Sequence, residues 1–158
     1  TDGRALDAIS ISREFAADED EERRGKRIGA LIEEVLAGAA PLPDIVAKRA
    51  KSKAKLKAFA IEGRVVIDNS WSNRFTAIEA TGLDRPGLLY DLTRTISDLN
   101  LNIGTAHIAT FGERVVDVFY VTDLMGAKIA SPTRQAAIKR ALAQVFTPSR
   151  PEVKAVSG

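Results

Sequence analysis

Phe75-Thr76-Ala77-Ile78-Glu79-Ala80, then Asp84-Arg85-Pro86-Gly87, then Leu88, Leu89, Leu92, Ile96 and Leu99 form the stretch whose reading decides the fold. In the first segment Phe75, Ala77 and Glu79 fall on one side and Thr76, Ile78 and Ala80 on the other, the alternation of a strand. Asp84-Arg85-Pro86-Gly87 breaks it with turn residues. The leucines and the isoleucine then recur at helical spacing, which predicts an amphipathic helix.

The reading extends outward in both directions. Asn100 to Asn102 ends the helix, and Ile103 to Thr110 alternates as a second strand. Phe111-Gly112-Glu113 turns the chain back into a strand from Arg114 to Thr122. Asp123 to Ala130 reads as a loop, and Ser131-Pro132 is an N-cap followed by proline at the first helical position. That helix runs to about Phe146, Thr147-Pro148 stops it, and Pro151 to Val156 supplies a short final strand. The order β-α-β-β-α-β predicts an α+β, ferredoxin-like domain, with an antiparallel sheet and two helices on one face.

A shift of 110 positions brings the ends of the chain into coincidence. Arg4-Ala5-Leu6-Asp7-Ala8-Ile9-Ser10-Ile11 falls on Arg114-Val115-Val116-Asp117-Val118-Phe119-Tyr120-Val121. The same shift sets Arg24 on Arg134, Ile28 on Ile138, Ile32 on Leu142, Val35 on Val145 and Leu36 on Phe146. The N-terminal part therefore reads as the back half of an earlier, truncated copy: a strand Leu6 to Ser12, an acidic lead-in at Asp18 to Glu22, and a helix Glu22 to Ala37 ended by Gly38. Its missing elements would lie before Thr1. Between the copies come Pro41, Pro43 and a basic run of Lys48, Arg49, Lys51, Lys53, Lys55 and Lys57, then a strand Arg64 to Asp68. The expected division is 1–69 for the half copy with its basic linker and a closing strand at Arg64 to Asp68, and 70–158 for the complete copy.

Three segments together carry a family resemblance: Gly82-Leu83-Asp84-Arg85-Pro86-Gly87-Leu88-Leu89, Leu101-Asn102-Ile103-Gly104-Thr105-Ala106, and Val116-Asp117-Val118-Phe119-Tyr120-Val121. They resemble the ACT domain, a small-molecule-sensing module. Two consecutive copies joined by a segment like Val65-Val66-Ile67-Asp68-Asn69 are similar to the C-terminal region of the bifunctional PII uridylyltransferase/uridylyl-removing enzymes. The resemblance covers essentially the whole chain. It implies a regulatory part that senses glutamine and adjusts nitrogen signalling, attached to nucleotidyltransferase and phosphohydrolase domains that act on the PII signal protein. It also implies a cytoplasmic location, and Mg and UTP bound only in those catalytic domains.

No catalytic signature of either activity stands in this chain. There is no Gly-Ser with paired aspartates and no His-Asp pair. His107, the single histidine, cannot by itself build a dinuclear metal site. We therefore expect no catalytic residue, no metal ligand and no cofactor here.

The resemblance places the ligand at the turn between the first strand and first helix of the complete copy. The residue chemistry suits it. Gly87 lets backbone approach a ligand closely, Pro86 fixes the turn, and the N–H groups of Gly87, Leu88 and Leu89 make a weak anion site at a helix N-terminus. Asp84 can accept from an ammonium group, and Asn102 offers both a donor and an acceptor. Arg85 and Ile103 complete the candidate set. The plain alternative gives Asp84 as a helix cap and Pro86-Gly87 as a turn, and cap and ligand roles are compatible. Asp117 and its repeat mate Asp7 read as structural acids at a strand end. His107 should point away from the helix-covered face.

The gross numbers narrow the classes. The net charge of +2 demands no anionic partner, and the absence of cysteine removes disulfide and thiolate chemistry. No apolar run approaches the ~20 residues that span a bilayer. The lysine run could serve nucleic acid, but no aromatic residues interleave it, which favours a solvated linker. A ligand-free dimerisation unit is the other class still open. Val116, Val118 and Tyr120 share the sheet face opposite the helices, too apolar for water, so self-association through sheets is expected.

Overall fold

Alternation in the sequence becomes a four-stranded antiparallel sheet in the order β1-β2-β4-β3. The strands are β1 (Arg64–Asp68), β2 (Thr76–Leu83), β3 (Leu101–Phe111) and β4 (Arg114–Asp123). The computed structural model describes residues 15–44, 46 and 62–147. The chain falls into two units, Thr1–Ile45 and Val46–Gly158. The expected strands at Leu6 to Ser12 and Pro151 to Val156, Asp7, and the lysine run lie outside the described residues.

In the first unit, α1 (Asp18–Leu36) opens on four acidic residues, which suit the positive end of a helix. Gly38 follows its end with φ 72°. Ile28, Ile32 and Leu36 lie along the helix and remain exposed, and α1 buries none of its residues.

In the second unit, α2 (Leu88–Asp98) and α3 (Pro132–Val145) cover one face of the sheet. Their spacing is that of the sequence: Leu88, Leu92 and Ile96 from α2, and Ile138 and Leu142 from α3, are all buried. They meet Val65, Ile78, Phe119 and Val121 from the strands in one core. Each such side chain contributes about 1.5–3 kcal/mol by leaving water. Ser131 caps α3 by accepting from the Arg134 amide, with Pro132 next, as the sequence predicts. Asn100 ends α2 with φ 56°, a left-handed conformation that asparagine tolerates.

The pairing of β1 corrects one expectation. The sequence reading gives Arg64 to Asp68 to the earlier copy, yet Val65 stands opposite Ala80 and Ile67 opposite Ile78, in the sheet of the complete copy. The physical reason is local. β1 and β2 are joined by a short connection, which favours antiparallel pairing of neighbours. Val65 and Ile67 also face the same core as Ile78. A boundary at 69/70 would separate two hydrogen-bonded strands.

The joint between β1 and β2 is tightly bonded. Ser70 donates to Asp68 through both its amide, at 2.5 Å, and its hydroxyl, at 2.6 Å. Those bonds hold the Asp68 carboxyl below its ordinary range. Phe146, just past α3, lies so close over Gly63 and Gly82 that a Cβ at either would run into its ring.

Candidate functional site

The turn after β2 is built as the sequence proposes. Asp84 is exposed, and its amide donates to the Glu113 carbonyl at 2.7 Å, tying the turn to the β3–β4 hairpin. Pro86 is half-buried. Gly87 caps α2 with φ 85°, a conformation that side chains with a Cβ rarely adopt. A Cβ there would also come 2.7 Å from Val46 Cγ1.

The donor set is smaller than the sequence suggests. The Leu88 amide already donates to the Arg85 carbonyl at 3.1 Å, and the Leu88 side chain is in the core. This removes Leu88 from the three expected free amides, because the turn closes on itself with a short-range bond of the kind common at helix starts. Leu89 is exposed. Arg85 is engaged: its Nη2 lies 2.6 Å from Asp91 Oδ2 and donates to the Val145 carbonyl at 3.1 Å. The guanidinium thus ties the turn to the C-terminal end of α3, where a cation is favoured. An open groove of about 510 Å³ runs alongside, lined by Arg85, Asp91, Arg94 and Asp98, whose charges pair among themselves.

Asn102 and Ile103 are elsewhere. Asn102 pairs with Thr122 at the far end of β4, whereas Leu83, next to the turn, pairs with Arg114 at its near end. Between Asn102 and Phe111 the strand climbs about 30 Å at ~3.3 Å per residue. One copy therefore does not bring Asn102 to the turn that carries Asp84 and Gly87. The reason is topological: β2 and β3 run parallel, so the end of one and the start of the other face opposite ways. Asn102 and Ile103 are exposed on the edge strand, and the Asn102 amide reaches the Asp123 carbonyl only at 3.5 Å.

Asp117 departs from the sequence reading of an acid at a strand end. It lies within β4, on the helix-covered side, flanked there by Val115 and Phe119 and opposite Ala80 and Ile108. It is 2% exposed, and its Oδ1 is buried without a hydrogen-bond partner. Burial pushes its carboxyl up; a bond from the Ala109 backbone pulls the other way, and the Asp84 carboxylate adds to the rise. The sequence signal was available: an acid at an inward position of an otherwise apolar face.

The other face carries Val66, Val116, Val118 and Tyr120, away from the helices. His107 lies on it too, edge-on to Tyr120 with ring centroids 5.9 Å apart. Among the described residues no group of three or more His, Cys, Asp or Glu could hold a metal ion. No helix there is long and apolar enough to cross a membrane.

The fold agrees with comparison to known proteins. Residues 64–155 match the family described as "ACR9-like, ACT-like domain", and the match begins at β1. The chain belongs to the ACT-like domain family. Its relatives include proteins named bifunctional uridylyltransferase/uridylyl-removing enzyme. The protein from Rhodopseudomonas palustris is 67% identical over 148 residues, which is 92% of this chain and 16% of that protein. The one from Nitrobacter hamburgensis is 63% identical over 142 residues, 90% of this chain and 15% of the relative. The one from Bradyrhizobium diazoefficiens is 63% identical over 146 residues, 92% of this chain and 16% of the relative. The chain with its ACT-like domain thus spans about a sixth of the length of these enzymes. No solved structure matches the chain.

Proposed function

We propose that this chain is the amino-acid-sensing part of a bifunctional uridylyltransferase/uridylyl-removing enzyme, with glutamine as its ligand. On this reading the parent modifies the PII signal protein in the cytoplasm, and Mg and UTP serve catalytic domains outside this chain. The chain itself supplies binding and regulation, not chemistry. The reading is supported by the identity to those enzymes and by the turn Asp84 to Leu89, a glycine-capped helix start beside an exposed carboxylate. The residues before β1 then belong to an earlier copy and the linker that follows it.

One observation carries the mechanism: the turn and Asn102 stand at opposite ends of one sheet. A site that uses both must be shared by two copies. The long edge strand β3, exposed along most of its length, is the natural seam. Antiparallel pairing of two such edges brings Asn102 of one copy toward the turn-bearing end of the other. Glutamine then bridges two sheets, and its occupancy changes how they are held together. That is a change of state that attached catalytic domains could read.

Calorimetric titration of the chain with glutamine, alongside asparagine and glutamate, tests the reading. We expect saturable binding that prefers glutamine and tightens with protein concentration as copies associate. Association with no amino-acid binding at any concentration would favour the ligand-free dimerisation unit, for which the apolar face of Val116, Val118 and Tyr120 speaks.

A further inference from the structure

We propose that Asp117 is a ligand-binding residue whose carboxylate accepts the ammonium group of the amino acid, which enters beneath the turn Asp84 to Leu89. The proposal rests on the sensing function above and names a contact for it.

The placement of Asp117 is costly unless something compensates it. Its neighbours on the same face of β4 are Val115 and Phe119, and it is 2% exposed. Its Oδ1 has no partner among the described residues. A buried carboxylate oxygen left unpaired is unfavourable in a core, even with the Ala109 backbone bonded to the group. A ligand cation at Oδ1 would relieve that cost.

The charges around it favour a cation. The neighbouring charge that acts on Asp117 is Asp84, of the same sign, from the turn itself. Arg85, the base carried by that turn, is already committed to Asp91 and to the Val145 carbonyl. Asp84, in the turn that opens the eleven-residue helix, and Asp117 thus act on each other as like charges. An amino-acid zwitterion matches this pattern at both ends. Its ammonium meets Asp117 and Asp84, and its carboxylate meets the positive end of α2. A divalent metal fits less well, because no group of three ligating side chains forms among the described residues. A shift of 110 positions aligns Asp7 with Asp117 in the sequence.

Because Leu88 covers the core here and its amide closes on Arg85, the turn must shift for the ammonium to enter.

The test compares glutamine with its analogue lacking the α-amino group, by calorimetry on the intact chain and on Asp117→Asn. The variant is nearly isosteric, and a thermal melt checks that it folds. We expect the wild type to prefer glutamine by at least tenfold and Asp117→Asn to lose that preference. An undiminished preference in folded Asp117→Asn overturns the proposal and leaves the sensing function standing. A wild-type chain that binds no amino acid at all sinks the sensing function and this proposal with it.

Discussion

Thr76 Oγ1 donates to Asn69 Oδ1 at 2.7 Å and accepts the Ile129 amide at 2.8 Å. One fully buried hydroxyl therefore joins the β1–β2 connection to the loop before α3. The Asn69 amide returns to the Ile129 carbonyl at 3.1 Å, closing the ring. Thr76→Val keeps the shape and strands the Ile129 amide. We expect a loss of about 1–3 kcal/mol in urea unfolding, the usual cost of a buried unpaired donor. Asn69→Ala should cost a similar amount, and the double variant should cost less than the sum, because the two share a network.

Gly87 carries φ 85° at the start of α2. Valine there is strained, by about 1–3 kcal/mol, and blocks the approach of a ligand to the backbone. Gly87→Val should melt lower but still fold, and calorimetry should find no glutamine binding. Normal binding in the folded variant would move the site away from this turn.

A shared site makes a sharper prediction possible. Asn102→Ala should weaken glutamine binding by about 1–3 kcal/mol. Mixed with Gly87→Val, it should regain function. In a mixed pair one site collects both defects and the other collects neither; with random pairing of equal amounts, about a quarter of the wild-type sites return. Mixing two variants of a site confined to one copy restores nothing.

Asp117 contributes to the pH dependence of stability. Burial raises its folded pKa above the ordinary carboxylate value, so its contribution is complete below that value and is lost as pH rises through the raised one. The wild type should therefore lose stability from this group as pH climbs above about 4. Asp117→Asn should be the more stable protein at neutral pH, with the gap closing in acid. Parallel pH profiles for the two proteins would mean that Asp117 is already compensated.

Much of the fold was legible because its signals are local. Ser131-Pro132 announces α3, the spacing Leu88, Leu92, Ile96 marks the face α2 buries, and Phe119 and Val121 follow from alternation. The misreadings concern partners. Arg64 to Asp68 reads as a strand from its own residues, but nothing in them says that Ala80 and Ile78 will be opposite. Asn102 lies only thirteen residues beyond Leu89 in sequence, yet the intervening helix carries the chain back to the other end of the sheet. The spare amide of Leu88 was lost in the same way, to a turn bond that residue types do not reveal. The inward acid at Asp117 was visible, but its unpaired oxygen was not.

The ring of Phe146 resting on Gly63 has a mechanical meaning. Gly63 immediately precedes β1 and Phe146 immediately follows α3, so the start of the first strand and the end of the last helix press on one another. A displacement of α3 along its axis is therefore felt directly at β1. A movement of the turn that reached Phe146 through Arg85 and Val145 would loosen that contact.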